Sequence, residues 1–291
     1  MRFISFKQGG RHGVAVLDSN GAARGLLEGS AGFPGSLDSI VAGGVASLRD
    51  AGAVLAKGAP IDLAAIEYLP VLSGQTAKII CVGLNYQDHS AESGYALPTY
   101  PTLFARFPSS LIAHGAPLLR PPESTQFDYE GELVAVIGKG GRRIPKDKAL
   151  DHVVAYSIFN DGSIRDFQHR TPQWTVGKNF DGTGAFGPSL VSADELPAGA
   201  AGLHLQTRLN GQVVQDASTS DLVFDVATLV SVLSEAMTLN PGDIIVTGTP
   251  AGIGAARKPP LFMKAGDVCE VEIEGLGVLR NPVLDEAQAS A

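Results

Sequence analysis

The chain has few of the residues that mark several whole classes of protein. Only two of its 291 residues are cysteine, Cys81 and Cys269, and both lie inside apolar, strand-like runs. That excludes a disulfide scaffold and reads as two buried thiols in a reducing, cytoplasmic setting. Charged residues make up only 18%, too few for a disordered or coiled-coil chain. Positive charge is scarce: 22 Lys and Arg against 30 Asp and Glu leave a formal charge of −8. That balance argues against nucleic acid or an anionic membrane as the main partner. A small anionic substrate stays open, because a local cation can dominate a pocket. No apolar run reaches the roughly 18 residues of a membrane span. No basic stretch followed by a long apolar run opens the chain, so no signal peptide is expected. There is no internal repeat and no Gly-x-Gly-x-x-Gly fingerprint. The Gly138-Lys139-Gly140-Gly141-Arg142-Arg143 stretch lacks the phosphate-loop pattern and reads as a basic hairpin turn.

Glycine (35) and proline (18) are plentiful, and 44% of the residues are hydrophobic. Many turns around a substantial core point to a β-rich fold with some helix. The length suggests one large domain and a small one, with the boundary at Pro70 to Gly74: a small unit over 1–70 and the main body over 71–291. In the first unit Arg2–Phe6 and Gly13–Asp18 read as strands. Leu37, Ile40, Val41, Val45 and Leu48 give one helix from Ser36, its N-cap, to about Ala56. Later, Asn210-Gly211 is a two-residue hairpin signal between Leu203–Leu209 and Val213–Asp216. Val226, Leu229, Val230, Leu233 and Met237 form the stripe of an amphipathic helix over Asp225–Met237. Val268–Ile273 and Leu276–Val283 form the last hairpin.

The chemistry centres on Phe127-Asp128-Tyr129-Glu130-Gly131-Glu132-Leu133, which runs on into apolar Val134 to Ile137. In an extended strand residues i and i+2 share a side, so Glu130 and Glu132 project together beside a core. Two readings stand on spacing alone. A hard divalent cation lies between the carboxylates, or the strand begins on the surface with two solvated acids. Downstream, the strand His152–Phe159 leads to Asp161, a ligand or a turn residue, and then to a helix from Ser163 to Gln168. Upstream, His89 and Glu92 share a helical face next to Gly94, as a general base on a lid or as an ordinary ion pair. Lys178 stands among glycine and apolar residues, where it meets a carboxylate or an enolate oxygen, or reaches the surface. Thr249 sits in the turn Thr247-Gly248-Thr249-Pro250, whose amides and hydroxyl suit a carboxylate.

In this order these segments resemble the fumarylacetoacetate hydrolase family over roughly residues 75–284. The blocks that carry the resemblance are Gly83-Leu84-Asn85-Tyr86 with Asp88-His89, the Glu130/Glu132 segment, and Asn160-Asp161 with Arg165-Asp166-Phe167-Gln168. Gly177-Lys178-Asn179-Phe180-Asp181 with Gly187-Pro188, then Asn210-Gly211 with Thr219-Ser220-Asp221, and the run Pro241 to Pro250 complete them. The resemblance implies a mixed β-sandwich roll, a β-rich α+β fold with a small N-terminal α+β domain, assembled as a homodimer. It implies one Mg²⁺ or Mn²⁺ per subunit on Glu130, Glu132 and Asp161, and a His89–Glu92 dyad that activates water. Lys178 would stabilise developing charge, while Gln168 and Thr249 contact substrate. Arg106 stands where many members carry lysine and is taken as a substrate contact. The tract from Gln168 to Lys178 is longer than in the shortest members. The implied reaction is hydrolysis of a C–C bond in a 2,4-dioxo acid, through a pyruvate enolate. The alternatives are an oxaloacetate decarboxylase, an isomerase or tautomerase of an unsaturated 2-oxo diacid on the same metal, or a binding protein without catalysis.

Overall fold

A computed structural model describes residues 1–75, 77–92 and 97–286, with only the backbone of 89–91. Its centre is the strand Gly131–Ile137, in which all seven residues are buried. Alternation explains how an unbroken apolar run is accommodated. Leu133, Ala135 and Ile137 enter one core and Val134 and Val136 another, on opposite faces of the sheet. The first core is closed by a second sheet and by the helix Val226–Ala236, through Val226, Leu229, Val230 and Leu233. Asp225 caps that helix, accepting from the Thr228 amide at 2.7 Å. The second core is closed by the helices Leu37–Ala42 and Gly44–Leu55. The single helix expected from Ser36 to about Ala56 is broken at Gly43-Gly44, where Gly44 takes φ +73°, a conformation open to glycine. The fold is β-rich α+β, as expected.

The large sheet is continuous from the N-terminal strands to the site. In spatial order it runs Ala59–Ile61, Ala23–Leu27, Arg2–Gln8 by way of Arg11–Leu17, Gly184–Ser192, Val153–Asp161, Gly131–Ile137, Ile244–Val246, Ile79–Gly83 and Thr102–Arg106. The first strand pairs Phe3 with Leu190, so the small N-terminal unit extends the main sheet. A five-stranded sheet joins Gln212–Ser218, His204–Leu209, Val268–Ile273, Gly277–Asp285 and Leu118–Arg120. At its Asn210-Gly211 turn both residues have positive φ, 53° and 78°. At the far edge of the large sheet Asn179 blocks further pairing: it accepts from the Phe107 amide at 2.6 Å and donates to the Ala105 carbonyl at 2.9 Å. No helix among the described residues is long and apolar enough to cross a membrane.

Candidate active site

Antiparallel register brings the acids together. Gly131 pairs with Asn160 and Glu132 with Phe159, so the start of one strand lies beside the end of the next. Glu130 falls just before the strand, and its carbonyl accepts from the Asp161 amide at 2.8 Å. Phe127–Asp128 instead pairs with Ser163–Ile164, which shortens the expected helix to Arg165–Gln168. The result is that Glu130, Glu132 and Asp161 each offer an oxygen within 4.8 Å of the others. They are 5%, 1% and 0% exposed, so the surface-strand reading is set aside.

Three cations surround these acids. Lys178 Nζ donates to Glu130 Oε2 at 2.7 Å and to Asp161 Oδ2 at 2.6 Å. Arg165 Nη1 reaches Glu130 Oε1 at 2.7 Å, and its Nε reaches Asp128 Oδ2 at 2.8 Å. Arg106 binds Asp161 Oδ1 and also donates to Thr183 Oγ1 at 2.7 Å. Glu132 differs: among the described contacts it accepts only the Gly248 amide, at 2.5 Å. Burial, and then the charges of Asp161 and Glu130, push its carboxyl well above the usual carboxylate range. Burial disfavours the charged form of Lys178, but Asp161 and Glu130 outweigh it and hold the amine above its ordinary value.

A cavity of about 290 Å³ opens over this floor. Glu130, Glu132, Lys178, Gln168 and Thr249 line it, and Glu92 stands at its edge, accepting from the Gly252 amide at 2.9 Å. The Thr249 hydroxyl donates to the Gly131 carbonyl at 3.0 Å and accepts from Gln215 at 2.8 Å. Gln168 Oε1 accepts from Arg165 Nη1 at 2.9 Å. Arg106 is not among the lining residues. Its guanidinium lies beneath the floor, 2% exposed, against Asp161. The His89 side chain lies outside the described residues.

Sequence reasoning passed over two residues of this site. Arg165 lines the cavity, and its Nη2 is buried without a hydrogen-bond partner among the described residues. Asp128 has both oxygens occupied: it accepts from the Gly254 amide at 2.7 Å, the Ala255 amide at 2.9 Å and Arg165, which fixes the loop that forms one wall. Both belong to the quoted blocks; buried charge of opposite sign, two strand ends apart, was the available signal.

A family model described as fumarylacetoacetate (FAA) hydrolase C-terminal matches residues 78–284. A mitochondrial oxaloacetate tautomerase of Xenopus laevis is 44% identical over 209 residues, which cover 71% of this chain and 65% of that protein's length. Two solved structures align along 98% of the chain. One is a fumarylacetoacetate hydrolase from psychrophilic Exiguobacterium antarcticum, at TM-score 0.86 and 35% identity over 100% of that chain. The other is a 5-carboxymethyl-2-hydroxymuconate delta-isomerase from Mycobacterium smegmatis, at TM-score 0.77 and 28% identity over 99% of that chain.

Proposed function

This chain belongs to the fumarylacetoacetate hydrolase family, and we propose that it is a tautomerase or isomerase of a small 2-oxo acid of the oxaloacetate type. The names of the tautomerase and isomerase relatives support this reading over the C–C hydrolysis expected first. The observation that carries it is the uneven pairing of the floor. Four buried carboxylates, Asp128, Glu130, Glu132 and Asp161, meet three buried cations, Arg106, Arg165 and Lys178. The deficit falls at Glu132, which has an amide where its neighbours have cations. A divalent cation fits there, with Glu130, Glu132 and Asp161 as the residues that would hold it. Mg²⁺ and Mn²⁺ both suit an all-oxygen donor set. When bound, such an ion supplies Lewis-acid polarisation of a 2-oxo acid.

The chain's own residues do the rest. Arg165 binds the substrate carboxylate through Nη2. Lys178 keeps its proton and stabilises negative charge on the C2 oxygen. Glu92, with His89, carries the proton: the enol O–H bond breaks, a C3–H bond forms, and no water is consumed. The homodimer and the cytoplasmic setting belong to the same reading. With Mg²⁺ present, the decay of enol oxaloacetate should accelerate when followed by its ultraviolet absorbance. Acetylpyruvate cleavage and pyruvate release from oxaloacetate are measured alongside. Rapid release of pyruvate without faster interconversion would reject the proposal in favour of a hydrolase or decarboxylase.

A further inference from the structure

The turn over residues 247–252 is attached to the site at three points. The Gly248 amide donates to Glu132 Oε2, the Thr249 hydroxyl to the Gly131 carbonyl at 3.0 Å, and the Gly252 amide to Glu92 Oε2 at 2.9 Å. It therefore meets an acid of the floor, the peptide between the two strand acids, and the acid at the cavity edge. Gln215, from the strand Gln212–Ser218 of the five-stranded sheet, pins this turn to the strand of the acids. Its Oε1 accepts from the Gly131 amide at 2.9 Å. Its Nε2 donates to Thr249 Oγ1 at 2.8 Å and to the Pro250 carbonyl at 2.9 Å. The carboxamide has one orientation here, because a backbone N–H demands an oxygen and a carbonyl demands an N–H. The Thr249 hydroxyl is fixed in turn: it receives a hydrogen from Gln215 and gives its own to the Gly131 carbonyl. Gln215 is 2% exposed, so these bonds are made away from water, where a lost partner is costly. The surroundings are equally tight. A Cβ on Gly252 would lie 2.1 Å from the Val214 carbonyl oxygen, and one on Gly131 would lie 2.3 Å from Thr207 Oγ1.

From this we infer that Gln215 is a positioning residue of the site. Through one carboxamide it sets the Gly131 peptide, and with it the placement of Glu130 and Glu132 on either side, and it locks the turn that holds Glu132 and Glu92. The inference rests on the proposed cation site and goes beyond it. It assigns to the five-stranded sheet the spacing between the acids that would hold the ion and the acid that carries the proton. Gln215 is not among the residues lining the cavity, so it acts through Gly131, Thr249 and Pro250. Without its side chain the Gly131 amide and the Pro250 carbonyl lose buried partners, and nothing in that carboxamide's place ties the strand to the turn.

The probe is Mn²⁺ alone, titrated into the full chain without any oxo acid and read by the electron paramagnetic resonance of the free ion. Gln215→Leu removes both hydrogen-bonding ends at similar volume. It should weaken Mn²⁺ binding by about tenfold or more, the usual scale for losing an outer partner of a metal site. Gln215→Glu keeps the acceptor for Gly131 but regains a donor only when its carboxyl is protonated, the form that burial favours. Its affinity should therefore move toward wild type between pH 8 and pH 6, and at pH 6 it should bind more tightly than Gln215→Leu. A Gln215 that served stability alone would lower the urea midpoint of Gln215→Leu and leave the affinity of the folded protein unchanged; that result overturns the inference. So does a Gln215→Glu variant that binds no better than Gln215→Leu at pH 6. Circular dichroism checks folding. If Gln215→Leu does not fold, the gap between Gln215→Glu and wild type decides: narrowing from pH 8 to pH 6 supports the inference, and a constant gap or none overturns it. Absence of Mn²⁺ binding in wild type overturns it together with the cation site. Enol–keto interconversion of oxaloacetate is measured separately. Failure there with the order of Mn²⁺ affinities intact removes the proposed reaction and leaves the positioning role.

Discussion

The two ends of the strand Gly131–Ile137 are equally buried and chemically opposite. From Leu133 to Ile137 every side chain is apolar and 0% exposed, and each face packs into its own core. At the other end Glu132, with Glu130 just before the strand, is buried almost as deeply, and charge replaces contact area. Burial of the first kind stabilises the fold in proportion to area removed from water. Burial of the second kind opposes folding unless each charge finds a partner. Among the described residues three of the four acids have a cation, and Glu132 has the Gly248 amide instead. The difference separates what the strand does for the fold from what it does for chemistry.

The comparison breaks most easily at Arg106. Arg106→Met strips Asp161 of a buried cation and should destabilise by about 3–5 kcal/mol, read by urea unfolding. A loss below about 1 kcal/mol would mean that the charged end tolerates missing partners and that Glu132 is nothing special. At the apolar end, Leu133→Ala should lower stability by about 2–5 kcal/mol while leaving kcat/KM of the folded enzyme near wild type. A large kinetic defect would show that the two ends are coupled. Glu132→Gln reverses that pattern. Activity should fall by at least about 10²-fold, beyond what changes around a metal site usually cause, with no loss of stability in metal-free buffer. Unchanged activity would remove the cation reading.

Where the signal was local, the sequence was readable. The Asn210-Gly211 hairpin and the Asp225-capped helix follow from a few neighbouring residues and took form within a residue or two of expectation. The shared side of Glu130 and Glu132 followed from alternation; that Asp161 joins them was implied by the family resemblance, its place at a strand end alone leaving a turn residue open. What escaped depends on register between distant segments. Phe3 opposite Leu190, which welds the first strand to the main sheet, leaves no trace in either segment alone. Arg106 beneath Asp161, Asp128 holding the 254–255 amides and Gln215 between Gly131 and Thr249 are likewise products of the assembled sheets. A residue type at a motif position could be read, but the direction its side chain takes could not.

The smallest expected effect is also the most diagnostic of Glu132. Its folded-state pKa stands well above the ordinary value of 4.5, through burial and then through Asp161 and Glu130. Between those two values the native protein without metal binds more protons than the unfolded chain, so stability falls as pH rises through that window. One linked proton sets a slope of at most about 1.4 kcal/mol per pH unit. Glu132→Gln has no such proton, so the stability difference between wild type and variant should widen in the variant's favour from about pH 5 to pH 7 in EDTA. Mg²⁺ binds the ionised form and should cancel the fall in wild type. Urea unfolding at several pH values, with and without Mg²⁺, checks both trends. Parallel lines for the two proteins in EDTA would place the titrating charge elsewhere in the floor and remove Glu132 as the carboxylate that invites a cation.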